Sequence, residues 1–137
     1  MTLDELKNLK AWVAKETALD EDNVMAMTLK LPNAQNRLLN KYSQEKQILN
    51  EMKNNLNVIY KDVYIQVRFH SDYKLTTKTD LDIFTSAEES YHKAKMACDN
   101  QEVAVEYIQK ALDGMVKMGY SIKAYIELLK IKNGIVS

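Results

Sequence analysis

Apolar residues recur every seven positions along two long stretches of this 137-residue chain. In the first stretch, Tyr42, Leu49, Leu56, Val63 and His70 form one row, and Leu38, Glu45, Met52, Ile59 and Gln66 form another. In the second, the rows are Ala87, Ala94, Gln101, Ile108 and Met115, and Tyr91, Cys98, Val105, Leu112 and Gly119. Rows offset by four and then three keep one side of a helix apolar and predict helix-on-helix packing along that seam. Neither Pro nor Gly interrupts residues 33–70, so the first long helix is expected there, roughly 55 Å long. The second is expected over 86–118.

Shorter elements flank the pair. Thr2 and Glu5 form a capping box ahead of Leu3, Leu6, Leu9, Trp12 and Val13, which predicts a first helix ending before Asp20. A second short helix, capped by Asp20, is expected to reach Leu31, where Pro32 stops or kinks the chain. Ser71, Asp72, Thr76, Thr77, Thr79 and Asp80 are turn formers and predict a loop over 71–85. Thr85 with Glu88, and Ser86 with Glu89, offer overlapping capping boxes for the second long helix. Gly119 is expected to end it. Residues 121–132 then read as a C-terminal helix with Ile122, Tyr125, Ile126 and Leu129 on one face and Gly134 past its end. The expected fold is all-α: one domain over 1–137, a long antiparallel helical hairpin with short N-terminal helices in 1–31 and a C-terminal helix. A two-helix hairpin leaves much apolar surface uncovered, so self-association is expected.

Composition narrows the class. Three Gly and one Pro are too few for sandwiches, barrels or doubly wound sheets, which turn every dozen residues. The lone Cys98 excludes an internal disulfide framework and fits a reducing compartment. The first residues have neither a basic nor an apolar leader region, so no signal peptide is expected. The longest apolar run is about four residues, against the roughly 20 of a membrane span. The expectation is a soluble intracellular protein with no membrane partner.

Nineteen basic residues balance nineteen acidic ones, yet the balance is not local. Residues 1–29 carry a net of −3, residues 30–78 +5, residues 79–113 −5 and residues 114–137 +3. Within the +5 segment the cations are ordered. At about 100° per residue, Lys46, Lys53, Tyr60, Lys61, Tyr64 and Arg68 fall within one sector of about 100°, while Glu51 and Asp62 lie on the far side. The stripe is roughly 33 Å long. Lys and Arg interleaved with Tyr suit single-stranded nucleic acid, with cations on phosphates and rings stacked on bases. The plainer alternative is a solvated helix face whose tyrosines pack a neighbour.

Catalytic and metal chemistry find little support. Glu89 and His92 match the Glu-x-x-His pair of di-iron bundles. That site needs a second copy, and His70 has Val67 three residues before it. No Gly-rich phosphate loop, nucleophile elbow or Cys/His metal spacing occurs. No catalytic residue, metal or cofactor is therefore expected.

Residues 86–89 (Ser-Ala-Glu-Glu) and 111–123, which run Ala-Leu-Asp-Gly-Met-Val-Lys-Met-Gly-Tyr-Ser-Ile-Lys, resemble the UvsY family of recombination mediators from T-even-like tailed phages. The opening Met-Thr-Leu-Asp-Glu-Leu and the Leu-Lys-Leu-Pro of residues 29–32 are also similar to members of it. The likeness is gap-free over 86–128. It implies a non-enzymatic protein of the infected host's cytoplasm that binds single-stranded DNA as a homo-oligomeric ring. It also implies two protein partners: the phage single-strand-binding protein, whose hold it weakens, and the phage RecA-like recombinase, which it loads. The family's basic DNA contacts precede a Tyr-Tyr-small-Gly turn. Here either the Phe-His-Ser-Asp of 69–72 or the region of Lys61 and Tyr64 occupies that place. The family's C-terminal helices carry oligomerisation, which maps onto Val105, Ile108, Leu112, Met115, Ile122, Ile126 and Leu129. The reading that competes with it is a protein-only coiled-coil adaptor or chaperone.

Overall fold

The row through Leu38, Glu45, Met52, Ile59 and Gln66 continues backwards at the same spacing through Leu31 and Val24. The row ending at Met115 likewise continues through Ile122 and Leu129. A computed structural model, which describes residues 1–70 and 77–134, follows these longer rows. Its helices are α1 (Leu3–Glu16), α2 (Val24–His70), α3 (Lys78–Ala87) and α4 (Glu89–Lys132), with no strand among the described residues.

Two expected breaks are therefore absent. Pro32 lies exposed inside α2. A proline there costs about 3 kcal/mol in a lost hydrogen bond and a ring clash. Buried Leu31, Ala34 and Leu38 on either side offset it, since a fully buried Leu contributes about 1.5–3 kcal/mol. Gly119 lies inside α4, and a Cβ added there would sit 3.7 Å from the Leu31 side chain. The glycine thus costs about 1 kcal/mol of propensity without ending the helix, because Ile122 is buried one turn beyond it. The segment 121–132 is the tail of α4 rather than a separate helix.

A third difference concerns the expected loop over 71–85. Residues 78–87 are helical, opened by Thr77, whose hydroxyl accepts from the Asp80 amide at 3.1 Å. The turn formers Ser71, Asp72 and Thr76 lie outside the described residues. The capping boxes of Thr85 and Ser86 do not form. Thr85 is buried and its hydroxyl donates to the Leu81 carbonyl at 2.6 Å. Glu88 caps α4 instead, its carboxylate accepting from the amide and hydroxyl of Ser90. Those bonds hold it below its ordinary pKa. Asp20 likewise closes a turn, accepting from the amides of Asp22 and Asn23 just before α2. The Thr2–Glu5 box forms as expected, with both reciprocal bonds present. Gly134 takes a left-handed φ of 72° beyond α4.

The chain divides into two units, the first of residues up to Gln44 with those from Glu106 onward, the second Glu45–Val105. In the first, Val24, Met27, Leu31, Ala34 and Leu38 of α2 meet Ile108, Met115 and Ile122 of α4, and α1 adds Leu9, Trp12 and Val13. In the second, Leu49, Val63, Leu81, Cys98, Ala104 and Val105 are buried together with Glu45, Thr85 and Gln101. There Gln101 meets Glu45 while Tyr91 meets Tyr60, so α2 and α4 run antiparallel.

This packing bears on the residues expected to carry oligomerisation. Val105, Ile108, Met115 and Ile122 are at most 4% exposed within one chain, and Leu112, Ile126 and Leu129 pack against the first unit's core. A heptad row is equally suited to an internal and an external partner: Val105, Ile108, Met115 and Ile122 are filled from within the chain, while Leu112, Ile126 and Leu129 stay half-buried.

Candidate nucleic-acid interface

All six stripe residues lie on α2 within the second unit. The helix is amphipathic there: buried Leu49 and Val63 face inward, leaving Lys53, Lys61 and Arg68 exposed and Lys46 half-buried. Lys53 meets Glu102 of α4, Nζ to Oε1, at 3.7 Å, with both side chains about half exposed. The acidic helix thus reaches one cation of the stripe. The Arg68 guanidinium lies 5.3 Å from the ring centre of its neighbour Phe69.

The tyrosines divide their roles. Tyr60 is half-buried, and its hydroxyl donates to Oδ1 of Asp82 on α3 at 2.6 Å. Its ring meets Tyr91 edge-on at 5.3 Å and stacks on Tyr64 at 6.3 Å between centroids, with 29° between planes. The hydrogen bond to Asp82, then burial, push its hydroxyl up to about 12. Expected on the stripe as a base-stacking ring, Tyr60 also joins α2, α3 and α4. Tyr64, half-buried like Tyr60, stacks beside it on the same helix.

Residues of two helices meet around it. Tyr60, Lys61, Tyr64 and Ile65 of α2 line a shallow groove with Lys78 and Asp82 of α3. Lys61, Ile65 and Lys78 are exposed and Tyr64 and Asp82 half-buried. The groove therefore offers two ammonium groups beside an aromatic ring and an aliphatic wall, the elements that hold a phosphate and a base. Lys78 and Asp82 were not among the expected site residues, because 71–85 reads as loop. The spacing of Leu81 and Thr85, one helical turn apart behind Thr77 and Asp80, is the signal that brings α3 into view.

Elsewhere the candidate chemistry disperses. Glu89 and His92 lie exposed on α4, and Cys98 is buried. Among the described residues no three His, Cys, Asp or Glu are grouped to hold a metal, and no helix is long and apolar enough to cross a membrane.

The model of the family described as the recombination, repair and ssDNA binding protein UvsY matches residues 12–135. The chain belongs to the UvsY family. Two crystal forms of the bacteriophage T4 recombination mediator protein UvsY show the same fold. They match with TM-scores of 0.81 and 0.82 at 16% and 18% identity, covering 93% and 97% of this chain and 98% of the T4 chain. No curated protein sequence matches. UvsY membership and a shared all-α architecture thus coexist with little residue identity, so the groove has to be read from this chain's own side chains.

Proposed function

We propose that this protein is a recombination mediator that binds single-stranded DNA along the stripe of Lys46, Lys53, Lys61 and Arg68, with Tyr64 stacking on bases. It acts as a homo-oligomeric ring in the cytoplasm of an infected bacterium. The observation that carries the reading is the exposure of Lys53, Lys61 and Arg68 along this stripe, beside the Tyr64–Lys78 groove, in a chain of the UvsY family. One stripe of four cations binds weakly. Copies on one ring act at high effective concentration and multiply their affinities. DNA held extended in this way is freed of the phage single-strand-binding protein and offered to the RecA-like recombinase. Lys61 and Tyr64, lining the groove, support the second of the two placements for the family's basic contacts. The competing reading, a protein-only coiled-coil adaptor or chaperone, predicts no binding of single-stranded DNA.

Fluorescence anisotropy with a labelled oligonucleotide tests the proposal. Binding is expected to weaken steeply with salt, and Lys53→Ala/Lys61→Ala/Arg68→Ala to lower the slope by about 2 per protomer. The native mass of the oligomer should not change. Absence of binding at low salt, or an unaltered triple variant, overturns the proposal.

A further inference from the structure

The groove contains one group that a purely non-specific DNA site would not need. Asp82 places a carboxylate among Lys61, Lys78, Tyr64 and Ile65, where an anion repels phosphate. Its Oδ1 is held by the Tyr60 hydroxyl at 2.6 Å, and Tyr60 is itself clasped between Tyr64 and Tyr91. The carboxylate is thus fixed relative to the ring available for stacking. A carboxylate only accepts hydrogen bonds. A base stacked on Tyr64 that turns an amino group towards Asp82 donates to it, as cytosine does through N4. Thymine presents O4 at the same place and sets lone pair against lone pair. Stacking tolerates every base, with modest preferences set by stacking strength, so the part of a preference between two pyrimidines that depends on Asp82 reports the edge contact.

We infer that the groove between α2 and α3 is a single-nucleotide subsite in which Lys61 and Lys78 take the phosphates, Tyr64 stacks on the base, and Asp82 selects amino-bearing bases over thymine. The inference rests on the DNA-binding reading above and adds a base preference to it. The measurement is the ratio of affinities of the full-length protein for oligo(dC) and oligo(dT) of equal length, by anisotropy at neutral pH. Oligo(dC) is expected to bind about fivefold tighter, the low end for one hydrogen-bonded base edge. Asp82→Asn removes a negative charge and strengthens both complexes alike, but its amide also donates to thymine O4, so the ratio falls to one or below. Tyr60→Phe keeps the ring while releasing the carboxylate, and the ratio drops part-way. Equal binding of the two oligonucleotides by the parent, or a ratio that survives Asp82→Asn, overturns the subsite and leaves the mediator reading standing. Failure of both to bind overturns the two together.

Discussion

The first unit buries Val24, Met27, Leu31, Ala34, Leu38, Ile108, Met115 and Ile122, all apolar, whereas the second buries Glu45, Gln101 and Thr85 among its aliphatic residues. The Gln101 amide donates to the Glu45 carboxylate at 2.7 Å and to the Glu45 carbonyl at 3.0 Å. Among the described residues no buried side-chain N or O atom is left without a partner. An apolar heptad seam is nearly indifferent to a slip of one repeat. A hydrogen-bonded pair satisfies one register only. The second unit, which carries the stripe and must hold α3 beside it, is the one built on directional contacts. The first is built on burial.

The largest effect is expected where burial does the holding. Leu38, fully buried, loses both transfer energy and packing on truncation, so Leu38→Ala should destabilise the protein by about 2–5 kcal/mol. Chemical denaturation at fixed protein concentration measures it. The folded fraction should keep its DNA affinity, since Leu38 lies in the first unit. A loss below about 1 kcal/mol would show that this core is not the main source of stability.

In the second unit the corresponding break is polar. Gln101→Ala removes two hydrogen bonds to buried Glu45 and is expected to cost about 1.5–3 kcal/mol, the range for bonds to charged groups. The informative comparison is Glu45→Leu/Gln101→Leu. Replacing a buried polar pair by apolar residues is often neutral or stabilising. The double variant should thus regain the parent's stability while losing the register signal, seen as broadened amide resonances of α2 and α4. If the double variant is as unstable as Gln101→Ala, the pair stabilises rather than specifies.

The same contrast explains how much was legible in advance. The heptad rows disclosed the helix pairing, because burial follows period alone: Leu38, Leu49, Val63, Ile108 and Met115 are all interior. Pro32 and Gly119 read as breaks because local propensity, worth about 1–3 kcal/mol, is visible in the sequence while the burial that offsets it at Leu31, Leu38 and Ile122 is not. The cationic stripe was legible because exposure on a long helix is the complement of the seam. Tyr60's bond to Asp82, 22 residues on, was not legible, because tertiary pairing leaves no trace in either residue's neighbours. Nor could spacing tell that Val105 and Ile108 face their own chain.

Tyr60 supplies the next test. Tyr60→Phe keeps both ring contacts and removes the bond to Asp82, costing about 0.5–1.5 kcal/mol. Its pH signature is separate. The folded pKa is raised from 10.0 to about 12, so the folded chain retains a proton that the unfolded chain loses. The stabilisation is whole below pH 10 and disappears as pH rises through about 12. Stability of the parent should fall across that window more steeply than that of Tyr60→Phe. Parallel pH profiles would dissolve the link between α2 and α3.

The smallest effect is expected on the surface, and there it bears most directly on function. Lys53 and Glu102, each about half exposed, meet at 3.7 Å. Such a pair is worth about 0.2–1 kcal/mol, because water screens it and two long side chains must be held. Glu102→Gln should therefore leave the unfolding midpoint almost unchanged. Yet phosphate has to displace Glu102 to reach Lys53, so the variant should bind single-stranded DNA about two- to fivefold tighter at low salt, the same energy read as affinity. The gain should fade as salt screens both interactions. Lys53→Ala should abolish it, since without the cation there is nothing for Glu102 to withhold. A Glu102→Gln gain that persists in the Lys53→Ala background would mean that the acidic helix repels DNA as a whole. Its −5 segment, rather than one ion pair, would then oppose the stripe.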